Sequence, residues 1–158
     1  MGIEIERKFL VRNADWRGQP RASERLSQGY LSRADDERVE IRIRCAGSRS
    51  FITVKGKGGL TRSEFEYEIP YDDAQKMLQE FCSPLLVEKV RHEIEHGGMK
   101  WYVDEFLGTH AGLVLAEVEL TDANQGIDLP LWIGKEVTED PTYRNANLAA
   151  NPQAWYQK

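Results

Sequence analysis

Two cysteines in 158 residues, Cys45 and Cys82, are too few and too far apart for a disulfide framework or a CxxC-type zinc site. Histidine is equally scarce: His92, His96 and His110 have no ligand spacing and read as structural or surface residues. No apolar run approaches the length of a membrane span, and the first residues enter a charged, alternating pattern where a signal peptide would carry an apolar stretch. The cytoplasm is therefore the expected compartment, with both thiols reduced. Positive charge is not in excess either, and a net charge of −5 argues against a general binder of nucleic acid or anionic membrane. Solenoid-length repeats and low-complexity stretches are missing, and no composition shift marks a second domain. A single domain over residues 1–158 is expected.

What is present is charge with period two, the spacing that sends successive side chains to opposite faces of a strand. Ile3, Ile5 and Phe9 alternate with Glu4, Glu6 and Lys8. Val39, Ile41 and Ile43 oppose Glu40, Arg42 and Arg44; Ile52 and Val54 oppose Thr53 and Lys55; Phe65, Tyr67 and Ile69 oppose Glu64, Glu66 and Glu68. Val90 faces away from Lys89 and Arg91, Val103 from Asp104, and Val118 and Leu120 from Glu117 and Glu119. Glycines at 56, 58 and 59 and at 97 and 98 read as hairpin turns.

Helical signals are fewer. Ala74, Met77, Leu78 and Phe81 recur at helical spacing between Asp72 and Cys82, with acidic residues at the start and Pro84 beyond the end. Asp140 can cap a second helix beginning at Pro141 and running through Arg144 and Leu148. The fold class is α+β.

Two arrangements accommodate the charged faces. They are either the solvated outside of a sheet or the lining of a closed barrel. Glu4 and Glu6 lie roughly 7 Å apart on one strand face, where repulsion is on the order of 2 kcal/mol at an effective dielectric near 20. Arg42 with Arg44, Lys89 with Arg91, Glu64 with Glu66 and Glu117 with Glu119 repeat the same like-charge spacing. A solvated face favours interleaved signs, whereas this chain sorts them strand by strand. Such sorting points to a charged guest: a polyanion for the basic pairs and divalent cations for the acidic ones.

The segment Glu4-Ile5-Glu6-Arg7-Lys8 resembles the Glu-x-Glu-x-Lys signature of the CYTH superfamily, the triphosphate tunnel metalloenzymes. It is followed in order by Gln28-Gly29-Tyr30-Leu31, Arg42-Ile43-Arg44, Thr53-Val54-Lys55-Gly56, Arg62-Ser63-Glu64-Phe65-Glu66, Glu88-Lys89-Val90-Arg91, Trp101-Tyr102-Val103-Asp104, Glu117-Val118-Glu119 and Gly134-Lys135-Glu136-Val137-Thr138. The series is similar to the short bacterial inorganic triphosphatase branch.

The resemblance implies an eight-stranded antiparallel β-barrel open as a tunnel, with helices outside and a carboxy-terminal plug helix. It implies metal-dependent hydrolysis of tripolyphosphate to pyrophosphate and phosphate, with Mg2+ or Mn2+ as cofactor. Glu4, Glu6, Glu117 and Glu119, with Asp104, Glu64 and Glu66, are the implied metal residues. Lys8, Arg42, Arg44, Lys55, Lys89 and Arg91 are the implied phosphate ligands. Lys89 and Tyr30 are the catalytic candidates, Tyr30 as a proton acceptor or as a packing and hydrogen-bonding residue. One position departs from the family: Thr142 stands before Tyr143 where an arginine is common, and Arg144 is the candidate replacement.

The expected partner is a small-molecule triphosphate, with no nucleic acid and no membrane, and the sequence leaves a homodimer open. The rivals are an adenylyl cyclase or thiamine triphosphatase of the same fold and a binding module for polyphosphate without catalysis. Trp101, Trp132 and Trp155 can stack on a ring in the first case, although packing is the commoner use. An RNA 5′-triphosphatase fits poorly with the acidic net charge.

Overall fold

The computed structural model describes residues 2–157. Nine strands follow the chain: β1 (Gly2–Val11), β2 (Ala22–Tyr30), β3 (Val39–Ala46), β4 (Arg49–Gly56), β5 (Thr61–Ile69), β6 (Val87–His96), β7 (Met99–Phe106), β8 (Val114–Glu119) and β9 (Ile133–Glu136). Their order is β5-β4-β3-β2-β6-β7-β8-β1-β9, every pair is antiparallel, and β5 pairs back onto β1. Strands β1 to β8 thus close into the expected eight-stranded barrel, and β9 is an addition. One edge of β1 pairs with β8; the other is taken by β5 at Gly2–Ile5 and then by β9 at Phe9 and Val11.

Alternation decides which side of this barrel is dry. The charged residues that alternate with the apolar ones, Glu4, Glu6 and Lys8 of β1, Arg42 and Arg44 of β3, Lys55 of β4, Glu64 and Glu66 of β5, Lys89 and Arg91 of β6, and Glu117 and Glu119 of β8, line the interior, so the apolar core lies outside the barrel wall. Phe9, Ile94, Trp101, Val103, Ala116 and Val118 form the largest outer cluster, covered by Trp16 from the β1–β2 connection and by Trp132. Val87, Phe106, Leu113, Leu115, Val137, Tyr143 and Leu148 pack at one end beneath the carboxy-terminal segment. Ile43 and Cys45 meet Ala74, Leu78 and Cys82 of the helix after β5. Burying each large side chain contributes roughly 1.5–3 kcal/mol. Both cysteines are buried and free. Among the described residues no helix is long and apolar enough to cross a membrane.

Helix α1 (Tyr71–Met77) continues through a wider turn at Leu78–Cys82, close to the expected span. Its end approaches β2 so tightly that a Cβ placed on Gly29 would lie 2.5 Å from Cys82 Cβ. The β6–β7 hairpin turns on Gly97 and Gly98, both at positive φ, as a two-residue loop of primed geometry requires.

The structure adds two strands to the sequence reading, decides between its alternatives for the tryptophans, and corrects it at the carboxy-terminal helix. Strands β2 and β9 carry too few apolar residues for the alternation to be seen. The tryptophans Trp101 and Trp132 are core residues with 0% and 2% exposure, and do not offer a stacking wall. The carboxy-terminal helix is not continuous. Asp140 does accept from the Thr142 amide at 3.0 Å, but the turn at Pro141–Tyr143 ends at Arg144, whose ψ of 134° is extended, before α2 (Asn145–Ala150) begins. The break turns Arg144 and Asn145 toward the barrel interior.

Candidate active site

A polar cavity of about 190 Å³ runs inside the barrel. Glu4, Glu6, Lys8, Tyr30, Arg42, Arg44, Lys55, Glu64, Glu66, Lys89, Arg91, Glu117, Glu119 and Arg144 all line it, which brings together every candidate from the sequence except Asp104. Asp104 stands behind two of the cations: its carboxylate accepts from Lys89 Nζ at 2.7 Å and from Arg91 Nε and Nη2 at 2.8 Å each. Arg91 Nη2 also donates to Glu117 at 3.0 Å, and Lys8 lies 3.6 Å from the other Glu117 oxygen. Across the barrel Lys55 donates to Glu4 at 2.9 Å and lies 3.2 Å from Glu64. The like-charge pairs of single strands are therefore interleaved between strands, acids of β1, β5 and β8 against cations of β3, β4 and β6.

The sequence reading missed four lining residues: Glu40, Arg62, Tyr102 and Asn145. Strand parity was the available signal for three, because Glu40 shares its face with Arg42, Arg62 with Glu64, and Tyr102 with Asp104. Asn145 had no such signal, since it comes inward only through the break at Arg144. Its Oδ1 accepts from Lys89 Nζ at 2.9 Å and from Gln28 Nε2 at 3.3 Å. Gln28 in turn accepts from Arg44 at 2.9 Å and donates to the Tyr30 hydroxyl at 2.8 Å. Arg144 donates to Gly58 O at 2.9 Å, linking the carboxy-terminal segment to the β4–β5 hairpin.

Crowding drives the proton affinities of these groups apart. Burial, with Glu117 and Glu4 alongside, pushes Glu6 up to about 8. Burial would raise Glu4 and Glu117 as well, but Lys55 and Arg62 hold the first and Arg91 and Lys8 the second well below the carboxylate range. Asp104 is lowered by Arg91 and Lys89 against its own burial. Lys89, with no solvent exposure, is pushed down to about 7 by burial and by Arg91, with Asp104 opposing. Burial and then Glu40 raise the Tyr30 phenol, so it keeps its proton. Neighbouring carboxylates of opposed affinity are a common mark of a working site.

A closed barrel with an ionised interior defines a receptor for a small, highly charged guest. The chain matches the CYTH domain over residues 2–149 and belongs to that family. It is 42% identical over 157 residues to an inorganic triphosphatase of Acetivibrio thermocellus, covering 96% of each chain. It is 40% identical over 149 residues to an inorganic triphosphatase of Nitrosomonas europaea, covering 92% of this chain and 96% of that one. The crystal structure of an inorganic triphosphatase superposes with a TM-score of 0.64 at 36% identity, over 92% of this chain and 97% of the other.

Proposed function

We propose that this chain hydrolyses inorganic triphosphate to pyrophosphate and phosphate inside the barrel, with a divalent metal, Mg2+ or Mn2+. The charge balance of the tunnel carries the reading. Eight basic and seven acidic side chains line the cavity, and Asp104 adds another acid behind Lys89 and Arg91. The resting walls therefore nearly cancel. A triphosphate brings about four or five negative charges, so cancelled walls need cations arriving with it.

The donor set fits a hard cation. All the acids are carboxylates, suited to magnesium or manganese rather than zinc. The Glu6 carboxylate has no side-chain hydrogen bond or close ion pair among the described residues, and Glu4 and Glu117 act on it more strongly than Lys55 and Lys8. No group of three or more His, Cys, Asp or Glu side chains is assembled for a metal among the described residues, and lysines and arginines engage Glu4 and Glu117. Glu6, Glu4, Glu117 and Glu119 would hold the ion jointly with phosphate oxygens. When bound, the metal would polarise those oxygens and favour ionisation of the attacking water.

The cations of the chain would do the rest. Lys55 and Lys8 can leave their carboxylates for phosphate oxygens, since each is a single charge on a flexible stem. Arg42, Arg44 and Arg91 present planar donors to the remaining oxygens. Lys89, with no solvent exposure, would neutralise charge on the leaving pyrophosphate, a preorganised stabilisation worth several kcal/mol at such centres. Tyr30 receives the Gln28 amide and retains its own proton for a phosphate oxygen. With Trp101 and Trp132 in the outer core and Trp155 stacked on Tyr156, the tunnel offers only Tyr30 and Tyr102 as rings among the described residues, which favours an inorganic substrate over a nucleotide or thiamine ester. The buried free thiols and the small polar cavity support a cytoplasmic enzyme with a small-molecule partner.

Purified protein incubated with tripolyphosphate, ATP, thiamine triphosphate or pyrophosphate, each with Mg2+, Mn2+ or chelator, tests the proposal. Chelator-sensitive release of one phosphate from tripolyphosphate, with slower or no release from the others, is expected. Saturable binding with no turnover of any substrate would make the tunnel a receptor instead.

A further inference from the structure

Glu40 is an acid that this hydrolysis leaves unused, yet it is 4% exposed and lines the cavity. It faces Lys55 across the β3–β4 ladder, and its Oε1 lies 3.7 Å from Arg62 Nη1. Arg62 stands directly opposite Glu4 in the β5–β1 ladder, and its Nε donates to Glu4 Oε1 at 3.0 Å. Glu4 Oε2 is held separately, by Lys55 Nζ at 2.9 Å. Arg62 Nη1 is buried and makes no hydrogen bond, so Glu40 supplies its counter-charge without fixing it by a short contact.

We infer that Arg62 and Glu40 are positioning residues for Glu4, with Glu40 reserving Arg62 for that carboxylate and keeping it off the phosphates. The inference rests on the reading of Glu4 as a metal-holding acid. The two cations on Glu4 differ in kind. Lys55 is a flexible point charge with a second carboxylate, Glu64, within reach, and can move to a phosphate oxygen. Arg62 is a rigid fork placed between acids contributed by two other strands, and turning it toward substrate would leave Glu40 buried without its ion-pair partner. When Lys55 departs, Oε2 of Glu4 is released into the tunnel while Oε1 stays fixed.

The test uses Arg62→Lys and Glu40→Gln in the full chain. Arg62→Lys keeps the charge but loses the fork, so a change in it reports geometry and not net charge. Loss of such an orienting partner typically costs 10–100-fold in metal affinity or activity. In both variants kcat on tripolyphosphate should fall at least about tenfold and the half-activating Mg2+ concentration should rise about as much, while KM for tripolyphosphate stays within about threefold. Mn2+ titrated into each protein with an excess of the hydrolysis-resistant imido analogue of tripolyphosphate, followed by the rise in Tm, should bind correspondingly more weakly than to wild type. That titration needs no turnover, so it decides the inference even if wild-type protein leaves tripolyphosphate intact, an outcome that would sink only the proposed activity. A raised KM with kcat kept would make Arg62 a phosphate ligand and overturn the inference. Unchanged kinetics and unchanged Mn2+ binding would reduce the pair to a structural one and overturn it too. Should Arg62→Lys fail to fold, the same readouts on the near-isosteric Glu40→Gln decide.

Discussion

Asn145 Oδ1 accepts a hydrogen bond from Lys89 Nζ at 2.9 Å, so the first residue of α2 is fastened to a cation with no solvent exposure. The other close partners of that ammonium are Asp104 at 2.7 Å and the Phe106 ring at 5.3 Å. A neutral amide orients the cation without spending its charge. Asn145→Ala should lower kcat on tripolyphosphate about tenfold while costing about 1–3 kcal/mol of stability. Asn145→Asp should lower kcat further, because a second carboxylate would neutralise Lys89, the cation proposed to meet the leaving pyrophosphate. Steady-state kinetics with parallel thermal melts check both, and an Asp variant faster than Ala would contradict this role.

Asp104 and Lys89 should respond differently to removal, although they are bonded to each other. Lys89→Ala leaves Asp104 with both Arg91 contacts, so turnover should suffer more than folding. Asp104→Asn leaves Lys89 and Arg91 buried around a neutral group, which costs about 3–5 kcal/mol, or roughly 6–20 °C in Tm. Equal melting temperatures for the two variants would count against this division.

Glu6 gives the chain a pH-dependent stability. Its affinity for protons is raised on folding, to about 8 from an ordinary 4.5, so between these values the folded state binds the extra proton. Stability from this group is full below the lower value and lost as pH rises through the upper. The slope is at most about 1.4 kcal/mol per pH unit, or roughly 3–6 °C in Tm, and residual water in the tunnel reduces it. Glu6→Gln should therefore gain on wild type as pH rises from 6 to 8.5 in chelator, and Mg2+ should narrow the gap at the upper end. Parallel melting curves across that range would refute the effect.

Cancelled tunnel charge predicts that anion and metal bind together. The imido analogue of tripolyphosphate, whose bridges resist hydrolysis, should raise Tm little in chelator and by several degrees with Mn2+, through binding to the folded state. An equal rise in both conditions would mean that the basic residues suffice without metal.

Much of this site was legible because strand alternation depends only on neighbouring residues. Glu4, Glu6, Arg42, Arg44, Lys89 and Arg91 declare their common faces within segments of three to five residues, and all of them line the cavity. Which acid meets which cation was not legible, since the partners are distant in sequence: Lys55 with Glu4, Arg91 with Glu117, Lys89 with Asn145. Strand β2 escaped notice because Ala22–Tyr30 places polar residues on both faces, and Leu26 and Gln28 are buried by the closed wall and the carboxy-terminal segment. Continuous helical periodicity after Pro141 likewise gave no hint of the break at Arg144, which tertiary contacts with Gly58 and Lys89 stabilise.

The seam between β1 and β5 sets the order in which this protein can come into being. Strand β1 precedes in the chain the strands that seat it, β5, β8 and β9, the last more than 120 residues later. Loop closure over such separations is slow and delays the rest of folding. Glu4 and Glu6 must therefore wait as solvated, unpaired acids while the remaining strands are made, and the tunnel acquires both its enclosure and its chemistry in the same late step. A nascent chain short of β8 would hold Lys8, Arg42, Arg44, Lys55, Lys89 and Arg91 but lack the wall that gathers them into one cavity.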